Sequence, residues 1–539
     1  MPMGLFALNR RRLCTYLKEK TGAGEWLRVT PGLTVVLRGG EGRERDDTDA
    51  EVGFRQESFF WWATGCEEAG CWLTLEVATG RTILWVPRVP AEYVVWVGAI
   101  HSLEHWRAKY GVDETRYVDE MPDQMFPCLL LAGVNEDSGT AHAGVSDRSV
   151  ALPGGGGSGG AAGGGGHGVV GDAWPGFQRF VPHQKSGAGS SSVYRGASIL
   201  YEAMVELRTI KTPLELEVLA YANRVSSRAH CKVMREFNAP AMRLGAKAVC
   251  KGGRVMEYQM EAVFRFACHA HGGCAFTAYP CICASGPNPA RLHYPHNSRE
   301  LGAGDMCLFD MGGEYMCYAS DITCSFPADG TFTKEQREIY EAVLDVRDSV
   351  LLLVQPGECW RALHLVAERV LGRHLVRLGI LRGDTAEGLV DRRVVALFQP
   401  HGLGHLMGLD VHDCGGWPAT DTATGQALDR AAWHKGRRGL KSLRCGRVLQ
   451  ENMVITVEPG CYFNAQYLEQ AMADPEIAPY VCPEKVAQYM HVGGVRIEDD
   501  VVVTKDGVRN LTDVPRTVDE IEAHMRGEGP WIATMNDTG

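Results

Sequence analysis

Leu308-Phe309-Asp310-Met311-Gly312-Gly313-Glu314-Tyr315-Met316-Cys317-Tyr318-Ala319-Ser320-Asp321 reads as a β-hairpin, because apolar and aromatic residues interrupted by a Gly pair suit paired strands better than a helix. If Asp310 and Asp321 face each other, the midpoint falls between Tyr315 and Met316. Gly312-Gly313 then lies within the strand as a bulge that bends it. Two carboxylates would share one point in an apolar setting. Like charges that close raise a pKa strongly or require a counter-ion, and an unpaired desolvated carboxylate costs several kcal/mol. A metal ion is the simplest counter-charge.

Two further acids sit in equally apolar contexts. Glu458 follows Met453-Val-Ile-Thr-Val457, and Glu498 follows Gly493-Gly-Val-Arg-Ile497, so each ends a strand-like run. His401-Gly-Leu-Gly-His405 adds imidazole donors. Its two-His spacing is that of helical zinc proteases, but Gly402 and Gly404 disfavour a helix and the catalytic Glu of that motif is missing. Four carboxylates with one imidazole, Asp310, Asp321, His405, Glu458 and Glu498, suit two divalent metals. Bridging acids compensate the ions' charge, and a shared water becomes hydroxide near neutral pH. The oxygen-rich set favours Mn2+ or Co2+ over a thiolate-type zinc site, although affinity order alone favours Zn2+.

Composition removes other classes. The chain has 539 residues, 66 acidic against 55 basic, a net charge of -11 and 45% hydrophobic residues. That length predicts two or more domains with sizeable cores, and the acidic balance excludes nucleic acid as a partner. No run of about 18 apolar residues exists, so no membrane span is expected, and no targeting segment is read at the N-terminus. The 18 Cys are scattered with one close pair, Cys281-Ile-Cys283, and no CxxC, which predicts reduced thiols in a cytoplasmic protein.

Along the chain, Leu33-Leu37 and Thr82-Val86 are strand-like and punctuated by Gly, which predicts a self-contained α/β domain over the first ~125 residues. From Gly154 to Gly168, 11 of 15 residues are Gly, so the insert 153-192 is expected to be disordered. Capping boxes at Thr212-Pro-Leu-Glu215 and Thr333-Lys-Glu-Gln336 predict helix starts, the second helix running to about Val354 before Gln355-Pro356-Gly357. The boundaries expected are an N-terminal domain over 1-200, a catalytic domain over 201-525 and a tail over 526-539.

The ordered set Asp310, Asp321, His405, Glu458, Glu498 resembles the ligand set of the pita-bread metallopeptidases of family M24, which include methionine aminopeptidase, aminopeptidase P and prolidase. Longer stretches are similar to the prolidase branch: Phe54-Phe60, Cys307-Tyr315, Ser320-Phe326, His401-Gly416 and Gly493-Thr504. The likeness covers about residues 5 to 525 apart from the Gly-rich insert. It implies a creatinase-like α/β N-terminal domain, then a pita-bread catalytic domain in which a strongly bent antiparallel sheet is flanked by helices.

By the resemblance, Asp310 chelates one metal, His405 and Glu458 the other, and Asp321 and Glu498 bridge both. The bridging water is the implied nucleophile, and Glu458 its implied proton shuttle toward the leaving proline nitrogen. His412 and His293 match family histidines that contact substrate and stabilise the oxyanion, with His401 and Tyr279 as further substrate-pocket candidates. Arg444 matches the arginine that grips a dipeptide's C-terminal carboxylate, so an Xaa-Pro dipeptide is the expected substrate. Arg496, two residues before Glu498, is expected to hold a ligand carboxylate in place. Trp96 resembles an aromatic that reaches a partner's site, which implies a homodimer. Aminopeptidase P, acting on longer Xaa-Pro peptides, is the alternative. Local departures are a short loop over 295-304 and an extended segment over 420-438.

Overall fold

The computed structural model describes residues 1-22, 32-122, 128-135, 140-142, 199-236 and 255-530. The Gly-rich insert 153-192, Cys250 and the last nine residues lie outside the described residues. The chain divides into two compact units, Met1-Leu207 and Arg208-Gly539.

The first unit is built on a five-stranded sheet. Its strands are β1 (Thr34-Arg38), β2 (Trp72-Glu76), β3 (Thr82-Val86), β4 (Glu114-Tyr117) and β5 (Cys128-Leu130), in the order β4-β3-β2-β1-β5. β1, β2 and β3 pair antiparallel, while the outer pairs β3-β4 and β1-β5 are parallel. Both strands expected from β-branched runs are present as β1 and β3, and their Val36 and Trp85 share one buried cluster with Trp72 of β2.

The second unit opens with the helix Pro213-Glu236. Its start is closed reciprocally: Glu215 N donates to Thr212 Oγ1 at 3.3 Å and Thr212 N to the Glu215 carboxylate at 2.7 Å. The same box closes the helix Lys334-Leu351, which ends three residues before the expected Val354, its last carbonyls taken up by Leu352 N and Leu353 N. A third helix, Glu257-Gly272, packs on the first.

The antiparallel strands form two long ribbons. β6 (Ile282-Ser285), β7 (Met306-Asp310) and β10 (Thr323-Pro327) make a sheet in the order β10-β7-β6, and the β7-β10 ribbon continues into β8 (Gly313-Tyr315) and β9 (Tyr318-Ala319). In the second ribbon, β11 (Val454-Val457) pairs with β14 (Asp499-Thr504), then β12 (Gly460-Tyr462) with β13 (Gly494-Arg496). Each ribbon is interrupted once, and the acids singled out in the sequence sit at those interruptions.

The hairpin is present, but its register corrects the expected one. Asp310 pairs with Thr323 rather than Asp321, and Tyr315 with Tyr318, so the turn is centred one residue later, on Met316-Cys317. Both turn residues have positive φ, 49° and 63°. A two-residue turn with left-handed central residues matches the right-handed twist of its strands, so non-Gly residues accept the strain there. Gly312 lies at the break, where a Cβ would collide with the Ser320 carbonyl.

Among the described residues every cysteine is free and most are buried. No helix of the described residues is long and apolar enough to cross a membrane.

Candidate active site

The first ribbon carries Asp310 at the end of β7 and Asp321 just before β10. Although not paired across the ladder, the two carboxylates meet, because the interruption lets Asp321 turn back toward Asp310. Asp321 N donates to the buried Asp500 carboxylate at 2.8 Å, which fixes that turn. In the second ribbon Glu458 and Glu498 occupy opposing positions between the two paired segments, where only Ile497 N to Pro459 O (3.2 Å) spans the gap. Glu498 N donates to Thr323 O, which brings the second ribbon beside the first.

His401-His405 is extended rather than helical. Thr456 N donates to His405 O (2.9 Å), Glu458 N to Leu403 O (2.8 Å) and His405 N to Thr456 Oγ1 (3.0 Å), so the segment lies along β11. Gly404 permits this approach, since a Cβ there would fall within the radius of the Thr456 carbonyl oxygen. Gly404→Ala is therefore expected to destabilise the fold by about 1-3 kcal/mol and to displace His405. Thermal unfolding and metal titration of the variant check this; wild-type values for both would contradict it.

His405 Nε2 stands 3.3 Å from Asp321 Oδ2 and 3.5 Å from Glu458 Oε1. Asp321, His405 and Glu498 bring donor atoms within 4.8 Å of one another, all three buried. Arg496 pairs with Asp310 and reaches Glu498 Oε2 at 3.8 Å, while Thr323 Oγ1 donates to Glu498 Oε2 at 2.6 Å. Arg496 also donates to Thr323 Oγ1 and to the Tyr462 hydroxyl.

The four acids, His405 and Arg496 line a cavity of about 220 Å3 together with His293, His401, His412, Ser442 and Arg444. His405 and His412 rings meet edge-on at 4.5 Å. His401 is held by Tyr462 Oη at 2.8 Å on one nitrogen and by the Gly402 carbonyl at 2.7 Å on the other. Tyr279 is not among the lining residues; its hydroxyl is buried, and burial, with the Asp310 and Asp321 carboxylates adding to it, raises its pKa.

The acids present more charge than the protein compensates. Burial pushes Asp321 and Glu498 well above the carboxylate range, and their acidic neighbours add to it. Burial likewise pushes Glu458 up to about 7, against the opposing pull of His405 and Arg496. Burial lowers His401 to about 3 and His412 to about 2, so both imidazoles are neutral donors at pH 7. One buried oxygen of Asp310, Oδ1, meets no hydrogen-bond donor. Arg444 and Arg496 are the only cations among the lining residues, set against four carboxylates. Oxygen donors converging with one imidazole and an orphaned carboxylate oxygen fit a pair of divalent cations.

That imbalance has a testable sign. A carboxyl whose pKa is higher folded than unfolded contributes stability that is full below the unfolded value, about 4.3 for Glu, and is lost as pH rises through the folded value. Metal-free Glu498→Gln is therefore expected to melt above metal-free wild type, by a margin that widens from about pH 5 to about pH 8. Melting curves across that range check it, and a margin that shrinks as pH rises would contradict the assignment.

Residues 217-505 match metallopeptidase family M24, and residues 6-131 match the aminopeptidase P N-terminal domain. The chain belongs to family M24. Among M24 relatives, it is 44% identical to the Xaa-Pro dipeptidase of Rattus norvegicus and 42% to that of Homo sapiens, in each case over 98% of this chain and 94% of the relative. Of solved M24 structures, it is similar to the aminopeptidase PepP of Pseudomonas aeruginosa (27% identity, TM-score 0.68, 98% of both chains). It is also similar to Zn-substituted Escherichia coli aminopeptidase P in complex with product (26% identity, TM-score 0.66, covering 98% of this chain and 99% of that one). The architecture is accordingly the α/β pita-bread fold with an N-terminal domain, and M24 membership implies a dinuclear divalent-metal centre.

Sequence reasoning missed Thr323, Thr456, Tyr462 and Asp500, which hold the acids and histidines in place. Asp500 alone carried a signal, as a further acid inside a strand-like run after Glu498.

Proposed function

We propose that the chain hydrolyses Xaa-Pro dipeptides at two divalent metal ions, releasing free proline. The observation that supports this reading is one small cavity lined both by metal-type donors and by His293, His412 and Arg444. Asp310, Asp321, His405, Glu458 and Glu498 would hold the two ions. Such a pair supplies an attacking water ionised near neutral pH and polarises the scissile carbonyl.

The chain's own groups do the rest. Glu458, only 18% exposed at its side chain, takes the water's proton and delivers it to the proline nitrogen. That transfer matters because a secondary amine leaves poorly unless protonated. His412 and His293 face the carbonyl oxygen, and His401 lines the same wall with Tyr462 behind it. Tyr279 acts next to the Asp310-Asp321 pair. Arg444 binds the dipeptide's carboxylate, whose planar pair of oxygens suits a guanidinium fork. A longer peptide has no carboxylate at that point and leaves the Arg unmatched.

Mn2+ is the metal assigned, on the oxygen-rich donor set. A homodimer is supported by Trp96, which is 84% exposed in the apolar helix Val94-Val97 of the first unit. A reducing, cytoplasmic location suits the free thiols. The domain boundaries adopted are a non-catalytic 1-200, a catalytic 201-525 and a tail 526-539.

Proline release from Gly-Pro and Ala-Pro by Mn2+-loaded and chelator-stripped protein tests the reading, with Ala-Pro-Ala assayed in parallel. Dipeptide cleavage that is lost on stripping and restored by metal, with the tripeptide intact, is expected. Comparable tripeptide cleavage would move the assignment to an aminopeptidase P activity, a second reading favoured by the likeness to the solved aminopeptidases. No cleavage despite two bound metals would overturn both.

A further inference from the structure

The segment from Ser285 to Arg299 leaves β6 through Gly286 in a left-handed conformation, makes a 3-10 turn over Asn288-Ala290, brings Leu292 and His293 to the cavity, and returns. It carries no strand between its ends, so the placing of His293 depends on what ties the loop down. Asn297 ties it to Cys283 N, Cys281 O and Glu261, and Asn464 ties Ala290 O, but one carboxylate gathers more of its donors than any other group. Glu257, the first residue of the helix Glu257-Gly272, is fully buried. Its Oε1 accepts from Ser285 N (2.9 Å), Ser285 Oγ (2.7 Å) and Asn288 Nδ2 (3.2 Å). Its Oε2 accepts from Tyr294 Oη (2.8 Å) and Arg299 N (2.8 Å). Every one of these donors belongs to the loop. Glu257 N in turn donates to Arg299 O at 3.0 Å.

We propose that Glu257 is a positioning residue for His293, acting through the loop and not on substrate; this rests on the reading of His293 as a substrate-contacting group. A carboxylate offers about four acceptor directions and no donor, so it can receive two backbone N-H groups and two hydroxyls at once, with the longer Asn288 amide contact of 3.2 Å sharing one of those directions. The tie nearest the chemistry is Tyr294. Its ring is buried with the hydroxyl on Glu257, while the adjacent His293 is exposed at the cavity. Fixing Tyr294 therefore fixes where the next backbone atoms present the imidazole. Burying a carboxylate to pin a loop is expensive where apolar contacts would serve. The cost is understandable where a catalytic distance must hold, since about 1 Å of misplacement lowers turnover by roughly 10²-fold.

Glu257→Gln keeps the size but turns an N-H toward Ser285 N-H or Arg299 N-H, neither of which can accept. The variant is expected to bind metal as wild type does and to leave KM for Gly-Pro nearly unchanged. Its kcat should fall by roughly 10- to 100-fold. Tyr294→Phe removes one donor and should move kcat in the same direction by less, which keeps a test available if the Gln variant does not fold. His293→Ala sets the reference, and Glu257→Gln added to it should lower kcat no further, because the two act through one group.

Losses that multiply in the double variant, or wild-type kcat in both Glu257→Gln and Tyr294→Phe while His293→Ala is impaired, would overturn the proposal and leave the reading of His293 standing. Full kcat in His293→Ala would instead sink that reading, and the proposal with it, without touching the metal ligands.

Discussion

Glu498→Ala is expected to yield a folded chain that neither retains divalent metal through dialysis nor releases proline from Gly-Pro. Glu498 sits opposite Glu458 where the second ribbon is interrupted, with Thr323 Oγ1 donating to one oxygen and the donor atoms of Asp321 and His405 within 4.8 Å. It also joins the two ribbons, since its own backbone N-H is bound to Thr323 O of β10. Alanine removes a proposed metal-binding carboxylate and leaves Asp310 as the one acid in a direct ion pair with Arg496. The loss should therefore exceed the ~10²- to 10³-fold typical of removing one transition-state donor. Metal analysis after dialysis and a proline-release assay read the two effects separately. Full activity in this variant, or in Asp321→Ala, would remove that residue from the ligand set.

Arg444→Ala is expected to act on a different quantity. Loss of one partner of a hydrogen-bonded charge pair costs about 2 to 5 kcal/mol. Arg444 is only half-buried, so the lower end applies, about 30-fold in kcat/KM for Gly-Pro, carried mainly by KM. Metal content should be unchanged, and cleavage of Ala-Pro-Ala should be no worse and relatively favoured. Equal losses on both peptides would mean that Arg444 supports the cavity wall and does not read a terminal carboxylate.

The parts of this molecule that sequence made legible are those whose signal is local. Thr212-Glu215 and Thr333-Gln336 close their helices within four residues, so the pattern carries its own geometry. The acids were conspicuous because each interrupts an apolar run, and Gly402 and Gly404 spoke against a helix by their low propensity, whereas the close backbone approach they permit is visible only in the fold. Register was not legible in the same way. The turn at Met316-Cys317 uses left-handed non-Gly residues where Gly or Asn is the usual marker, so the pairing was expected one residue early. Thr323 and Thr456 read as ordinary strand formers, and only cross-strand pairing reveals that their hydroxyls hold Glu498 and His405. Glu257 lies 28 residues from the nearest donor it binds, a distance over which no spacing rule operates.

The free cysteines bear on how the protein behaves once heated. In the fold most of these thiols are shielded by the core, and burial raises the pKa of many, which suppresses the thiolate that would exchange. Melting abolishes that shielding for all of them together. The unfolded chain then carries many unprotected thiols that oxygen can join in wrong pairs for as long as it is held hot. Inactivation by heat is in that case a one-way process governed by the unfolding rate, and a reductant in the buffer should raise recovery on cooling while leaving the midpoint of a fast scan where it was.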